Sequence, residues 1–207
     1  MPSLSVARLA PLTGVVAVAL TVVMFIVVGE PPDVRDKSSS EIVEFWDNNK
    51  HIAGAVMLTL AGAFFVWFGG SLRTALWQAE GPPGRVSTIC FAGFVLFGLS
   101  FALFGGVEIA AAETAGDVPP EVTHTLATLD MYLFMPAVLG QFLAMAAAAV
   151  VILRHGGLPR WLGYVSIVIA IVLMTPVGFF GFVAVGVWVL IVSVLLFLRE
   201  DATAPER

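Results

Sequence analysis

Asp47 and His51 stand four residues apart, and Glu121 and His124 three apart, so on a helix each pair shares one face. Glu108, Glu113 and Asp130 lie in or beside the same acidic stretches. Carboxylate and imidazole are suitable ligands for a divalent metal. A centre shared by the two stretches would suit a metal-dependent membrane enzyme, with His51, His124, Asp47 and Glu121 as its candidate ligands. The plainer expectation for the same residues is solvated helix ends with histidine at an interface. Asp130 stands apart because Leu126, Leu129, Met131 and Leu133 surround it. It is expected to pair with Lys50 or His51 across helices, since an unpaired carboxylate in such surroundings tends to be protonated.

Gln141 is the polar residue deepest in an apolar stretch, about twelve residues or roughly 18 Å of helical rise from Leu153. The expectation is a hydrogen bond to another helix. The alternative is a substrate cavity lined by Gln141 with Thr59 or Ser100. No HExxH, GxSxG, P-loop or Cys-x-x-Cys motif occurs, so a zinc–base pair, an activated serine, a phosphate cradle and a dithiol all lack their usual residues. His51, His124 and His155 sit at the edges of apolar runs, which disfavours a haem held between helices, and no cofactor is expected.

The elements that carry these residues follow from composition. Of 207 residues, 59% are apolar and 12% charged, and the mean hydropathy is +0.97. Soluble domains average about 25% charged residues. A chain this poor in charge cannot cover a water-facing surface, which disfavours a soluble globule, a disordered chain and a nucleic-acid binder. The single cysteine, Cys90, excludes an internal disulfide framework.

A helix crosses a bilayer core in about 20 residues. Six stretches fit: Pro11–Val28, Ile52–Gly70, Thr88–Val107, Met131–Leu153, Trp161–Val177 and Gly178–Leu198, none with an Asp, Glu, Lys, Arg or His. The fifth is the shortest, and Met174-Thr175-Pro176-Val177-Gly178 turns it into the sixth. A five-span reading would make one of these two segments re-entrant. The expected fold is therefore all-α, a six-helix membrane bundle forming one domain. The first span resembles a signal peptide but is longer than an ordinary apolar core and lacks a small-x-small cleavage site, so it is read as retained.

Placing both termini inside puts seven of the ten Lys and Arg residues on the inner side and three outside, as short-loop charge bias favours. Eleven of the fifteen acids then fall outside. A bacterial cytoplasmic membrane with both ends cytoplasmic is the expected setting. In the first outer loop, Ser38-Ser39-Ser40-Glu41 fits a capping box opening a short interfacial helix over residues 38–49. Glu121 to Asp130 starts the fourth helix early. Residues 199–207 form a flexible polar tail.

Leu158-Pro159-Arg160-Trp161-Leu162-Gly163 opens the fifth span. With Trp67-Phe68 before Leu72-Arg73, Asp47-Asn48-Asn49 closing the first loop, and Gly178-Phe179-Phe180 before the last span, it resembles a family of small six-span bacterial membrane proteins. The resemblance implies a six-helix bundle and brings no catalytic residue, because that family has no assigned activity. The leading functional expectation is a non-enzymatic accessory protein or a binder of lipid or small apolar molecules. A lipid bilayer is its medium, another membrane protein is a possible partner and nucleic acid is not. A small transporter with a cavity near Gln141 is the first alternative, and the metal-dependent enzyme the second.

Overall fold

The computed structural model describes residues 9–203, and no described residue lies in a strand. A 3-10 turn at Ala10–Leu12 leads into α1 (Thr13–Val28). There follow α2 (Ser39–Trp46), α3 (Lys50–Glu80), α4 (Arg85–Thr114), α5 (Pro120–Tyr132), α6 (Phe134–His155), α7 (Arg160–Leu173) and α8 (Gly178–Thr203). Five helical stretches are long and apolar enough to cross a membrane: α1 with its leading turn, α3, α4, α5 together with α6, and α8. This is an all-α bundle suited to a multi-pass membrane protein.

Several boundaries depart from those expected. The 31-residue α3 runs on through Arg73 to Glu80, ten residues past the Gly70 expected to end the second span. It stops at Gly81, whose φ of 75° is accessible to glycine without a Cβ clash. The interfacial helix is shorter than residues 38–49, because Asp47–Asn49 make the turn into α3. The fifth expected span shrinks to the 14 residues of α7, about 21 Å of rise against the roughly 30 Å of a bilayer core. Met174 to Val177 form the turn, and α8 then folds back on α7 with Gly181 set against Leu173. At the other end of α8 the helix continues to Thr203, so the expected flexible tail is helical there. Residues 204–207 of that tail, and Arg8, lie outside the described residues.

Small residues set how closely the helices approach. A Cβ on Gly98 of α4 would lie 2.5 Å from the carbonyl oxygen of Gly62 in α3. A Cβ on Gly140 of α6 would lie 2.6 Å from the backbone nitrogen of Phe97, and one on Gly93 would lie 2.5 Å from that of Ala144. Helices α3, α4 and α6 thus touch backbone to backbone, the mode of contact that supplies dispersion energy where lipid removes the hydrophobic drive. Phe65, Phe68, Phe94 and Phe97 fill the core between these crossings. Pro136 sits in the first turn of α6, where its missing N–H costs nothing.

At one end of the bundle α2, the last turns of α4 and α5 build a smaller core from Ile42, Trp46, Ala111, Ala115 and Ala127. This end carries most of the acids. At the opposite end, the Glu80 carboxylate accepts from the backbone N–H groups of Val86 and Ser87, both at 2.8 Å, and so caps the start of α4. The Leu158–Gly163 motif has a packing account there. Leu158, Leu162 and Gly163 are buried, Trp161 is half exposed, and Pro159 is the residue on which α7 begins.

Candidate functional site

At the acid-rich end the local sequence forms α2 as expected. Ser38 Oγ accepts from Glu41 N, and Glu41 Oε2 accepts from Ser38 N at 3.0 Å, closing the capping box. The Ser38 backbone N–H, aided by Lys37, pulls the Glu41 carboxyl down to about 2. Capping holds α2 in place while Ile42 and Trp46 anchor it, and its last turn delivers the Phe45 carbonyl to His51.

His51 is fully buried. Its Nε2 donates to Phe45 O at 2.8 Å, and its Nδ1 meets Glu108 Oε1 at 3.1 Å. Since a carbonyl only accepts, Nε2 carries a proton, and one further proton is held between Nδ1 and the carboxyl. His51 thereby joins the end of α2, the start of α3 and the last turns of α4. The partner expected for it was Asp130, which is a correction: Glu108 takes His51, and Lys50 sits over the Phe45 ring with Nζ 5.0 Å from its centroid. Asp130 Oδ1 is buried without a hydrogen-bond partner.

His124 belongs to a different network. Its Nε2 donates to Val34 O at 2.8 Å and its Nδ1 accepts from Ser39 Oγ at 3.1 Å, tying the first loop to α5. Asp47 ends α2 and is exposed, as is Glu121 in the first turn of α5. The four candidate metal ligands are therefore not brought to one point, and both imidazoles spend both nitrogens on structural bonds. Among the described residues no group of three His, Cys, Asp or Glu side chains is placed to hold a metal.

Glu108 and Asp130 both line a cavity of about 120 Å³, together with Trp46, Phe104, Phe134 and Phe182. Trp46 Nε1 is buried without a partner. The role of Glu108 escaped the sequence reading. Its signal was local: a carboxylate inside Gly105-Gly106-Val107-Glu108-Ile109-Ala110, with apolar residues on both sides.

Gln141 lies in the interior at 1% exposure. The close approach at Gly140 presses this turn of α6 against α4. The expected bond to a neighbouring helix is not made. Among the described residues, Gln141 is the one side chain with two buried atoms, Oε1 and Nε2, lacking any partner. Thr59 and Ser100 do not supply one, because their hydroxyls donate to Ala55 O and Leu96 O within their own helices. Leaving such an amide unpaired costs about 1–3 kcal/mol per group.

Gln141 is among the residues lining a cavity of about 420 Å³ between α1 and α8, with Phe65 and Phe97 also in its wall, while its amide atoms stay buried. Val22, Phe25 and Ile26 of α1 and Phe179, Val183 and Val187 of α8 border it, and all six are strongly exposed apolar side chains. The cavity thus opens through the side of the bundle. None of its lining residues is ionisable.

Fold and site together define a class: a helical bundle of membrane-crossing type with a lateral apolar cavity. Comparison with protein-family models, curated proteins and solved structures finds no match to this chain.

Proposed function

We propose that this chain is a multi-pass protein of the bacterial cytoplasmic membrane that binds a lipid or small apolar molecule in the cavity between α1 and α8. The observation that carries the reading is the lateral opening. A space of about 420 Å³ falls within the roughly 300–1,000 Å³ of ordinary ligand sites. Its rim of exposed Val, Ile and Phe faces the side of the bundle, so a ligand enters from lipid. A water-soluble substrate of a transporter would need an approach from a bundle end. For a metal-dependent enzyme, His51 and His124 would first have to abandon Phe45 O and Val34 O.

In this reading the chain passes the membrane six times, α7 being a short pass, and both ends are cytoplasmic. The reading is supported by the α7–α8 turn and by the bias of Lys and Arg towards one set of loops. A reporter enzyme fused after Arg207 is expected to be active in the cytoplasm only.

The binding test is extraction in mild detergent followed by mass spectrometry of co-purifying small molecules. Wild type is expected to carry an apolar compound that Val183→Trp, which fills the cavity mouth, loses while remaining folded. Equal amounts of the same lipids on both proteins would refute the site.

A further inference from the structure

We propose that the molecule in the α1–α8 cavity is a lipophilic amine, an apolar body ending in an ammonium head that passes between Phe25 and Phe182 and seats beside Asp130 and Glu108; this rests on the binding reading above. The argument begins with how two cavities meet. Phe25 and Phe182 line both the lateral cavity of about 420 Å³ and the acid-bearing cavity of about 120 Å³. Their rings lie edge to face, with centroids 6.5 Å apart. The Phe182 ring also lies 6.0 Å from that of Phe97, in the wall of the larger space, and 5.7 Å from that of Phe134, in the wall of the smaller. Two rings thus separate a chamber without ionisable residues from one that carries two acids. Phe25 is exposed on the lipid-facing side of α1, so its ring can swing aside without disturbing the core. A ligand that spans both chambers is apolar at one end and polar at the other.

Charge sets the sign of the polar end. The ionisable residues lining the smaller cavity are Glu108 and Asp130, both acids. His51 engages Glu108 Oε1 and leaves Oε2 unbonded. Asp130 makes no hydrogen bond or ion pair among the described residues. Its Oδ1 is enclosed, but Oδ2 is not, and neither is Glu108 Oε2. These two oxygens can receive a donor, and the enclosed atoms need play no part. Phe45, Trp46, Phe101, Phe104 and Phe134 add aromatic rings to the same wall, and a ring face attracts a cation. An ammonium donates N–H bonds to carboxylate oxygens and brings the counter-charge that Asp130 lacks. A phosphate or sulfate would meet like charge there. A hydroxyl would make a hydrogen bond and leave the charge unanswered. The larger chamber offers no second seat for a polar group, because Thr21 Oγ1 donates to Ala17 O and the Gln141 amide atoms are enclosed.

The test uses the full chain in phosphatidylcholine nanodiscs, whose lipid has no net charge, and a photoactivatable long-chain hydrocarbon as the labelling probe. Labelled peptides are mapped by mass spectrometry, with tetradecylamine, 1-tetradecanol and tetradecyl sulfate as competitors, each corrected for its partition into empty nanodiscs. Saturable labelling of α1 and α8 is expected. The amine is expected to compete about tenfold more strongly than the alcohol, the ratio that one charge-assisted hydrogen bond gives, and the sulfate least of all. In Asp130→Asn, which keeps the shape and drops the charge, the preference for amine over alcohol is expected to fall to about twofold or less while the alcohol competes as before. Equal competition by amine and alcohol in wild type would overturn the ammonium assignment and leave the binding reading intact. A preference for amine that Asp130→Asn leaves unchanged would overturn the seat beside Asp130. Absence of saturable labelling on α1 and α8 would overturn both the assignment and the binding reading. The wild-type competitor series decides the matter even if the Asp130 variant does not fold.

Discussion

Gly105 and Gly106 are neighbours on α4 with opposite surroundings, which makes them a direct test of how the bundle packs. A Cβ on Gly105 would lie 2.8 Å from Ala55 O and 2.7 Å from Thr59 Oγ1, where ordinary contact begins at 3.4 Å. Neither neighbour gives way easily. The first is backbone, and the second is tied by its own 2.8 Å bond to that same carbonyl. A Cβ on Gly106 meets nothing within 4 Å, and this residue is exposed. Both Gly→Ala changes gain about 0.8–1 kcal/mol from helix propensity. Gly105→Ala alone must also push α3 and α4 apart, a crowding cost of about 1–3 kcal/mol. The difference between the two variants isolates that crowding term. Gly105→Ala is expected to be destabilised by up to about 2 kcal/mol, and Gly106→Ala to match or exceed wild type by up to about 1 kcal/mol. Equilibrium unfolding in mixed detergent micelles, followed by circular dichroism, measures both. Equal stability of the two variants, or a more stable Gly105→Ala, would refute the α3–α4 contact.

Three further outcomes follow from the two ends of the bundle. His51→Leu leaves the Glu108 carboxyl buried without its partner and is expected to cost about 3 kcal/mol in the same unfolding assay, whereas Glu108→Gln, which keeps a hydrogen-bonding group, costs less. Glu80→Ala removes the cap on Val86 and Ser87 and is expected to cost about 1 kcal/mol, with faster amide exchange confined to the first turn of α4. The Glu41 carboxyl is held down at about 2 from an ordinary 4.5, so its contribution to α2 is complete above about pH 4.5 and is lost as pH falls towards 2. Hydrogen exchange in α2 should therefore accelerate across that acid range in wild type and show no such step in Glu41→Gln.

Much of the fold could be read from local pattern. The apolar runs that became α1, α3, α4, α6 and α8 announce themselves by length alone, and the Ser38–Glu41 capping box involves residues three apart. Small residues permit close helix contacts, but their presence in the sequence does not say which glycine meets which backbone. The ends of helices were read less well. The second span was expected to end at Gly70, yet the helix runs on through Arg73 to Glu80, whose carboxylate caps the start of α4. At the other extreme, α7 stops at Leu173, four residues short of the apolar run, because the chain turns at Thr175 and Pro176 to fold against itself.

The site was legible as a set of residue types and illegible as a set of partners. Sequence alone determined that His51, Glu108, Asp130 and Gln141 sit in or beside apolar helices, because hydropathy and helical periodicity act over a few residues. Only the tertiary structure decided that His51 takes Glu108, 57 positions away, and that His124 takes Val34 and Ser39. Tertiary structure likewise left both amide atoms of Gln141 buried without a hydrogen-bond partner. These choices depend on how each helix is rotated about its axis and slid along its neighbour. That rotation and offset are set by backbone contacts such as Gly62 on Gly98 and Gly93 on Gly140, which join residues far apart in the chain and leave no mark on local composition.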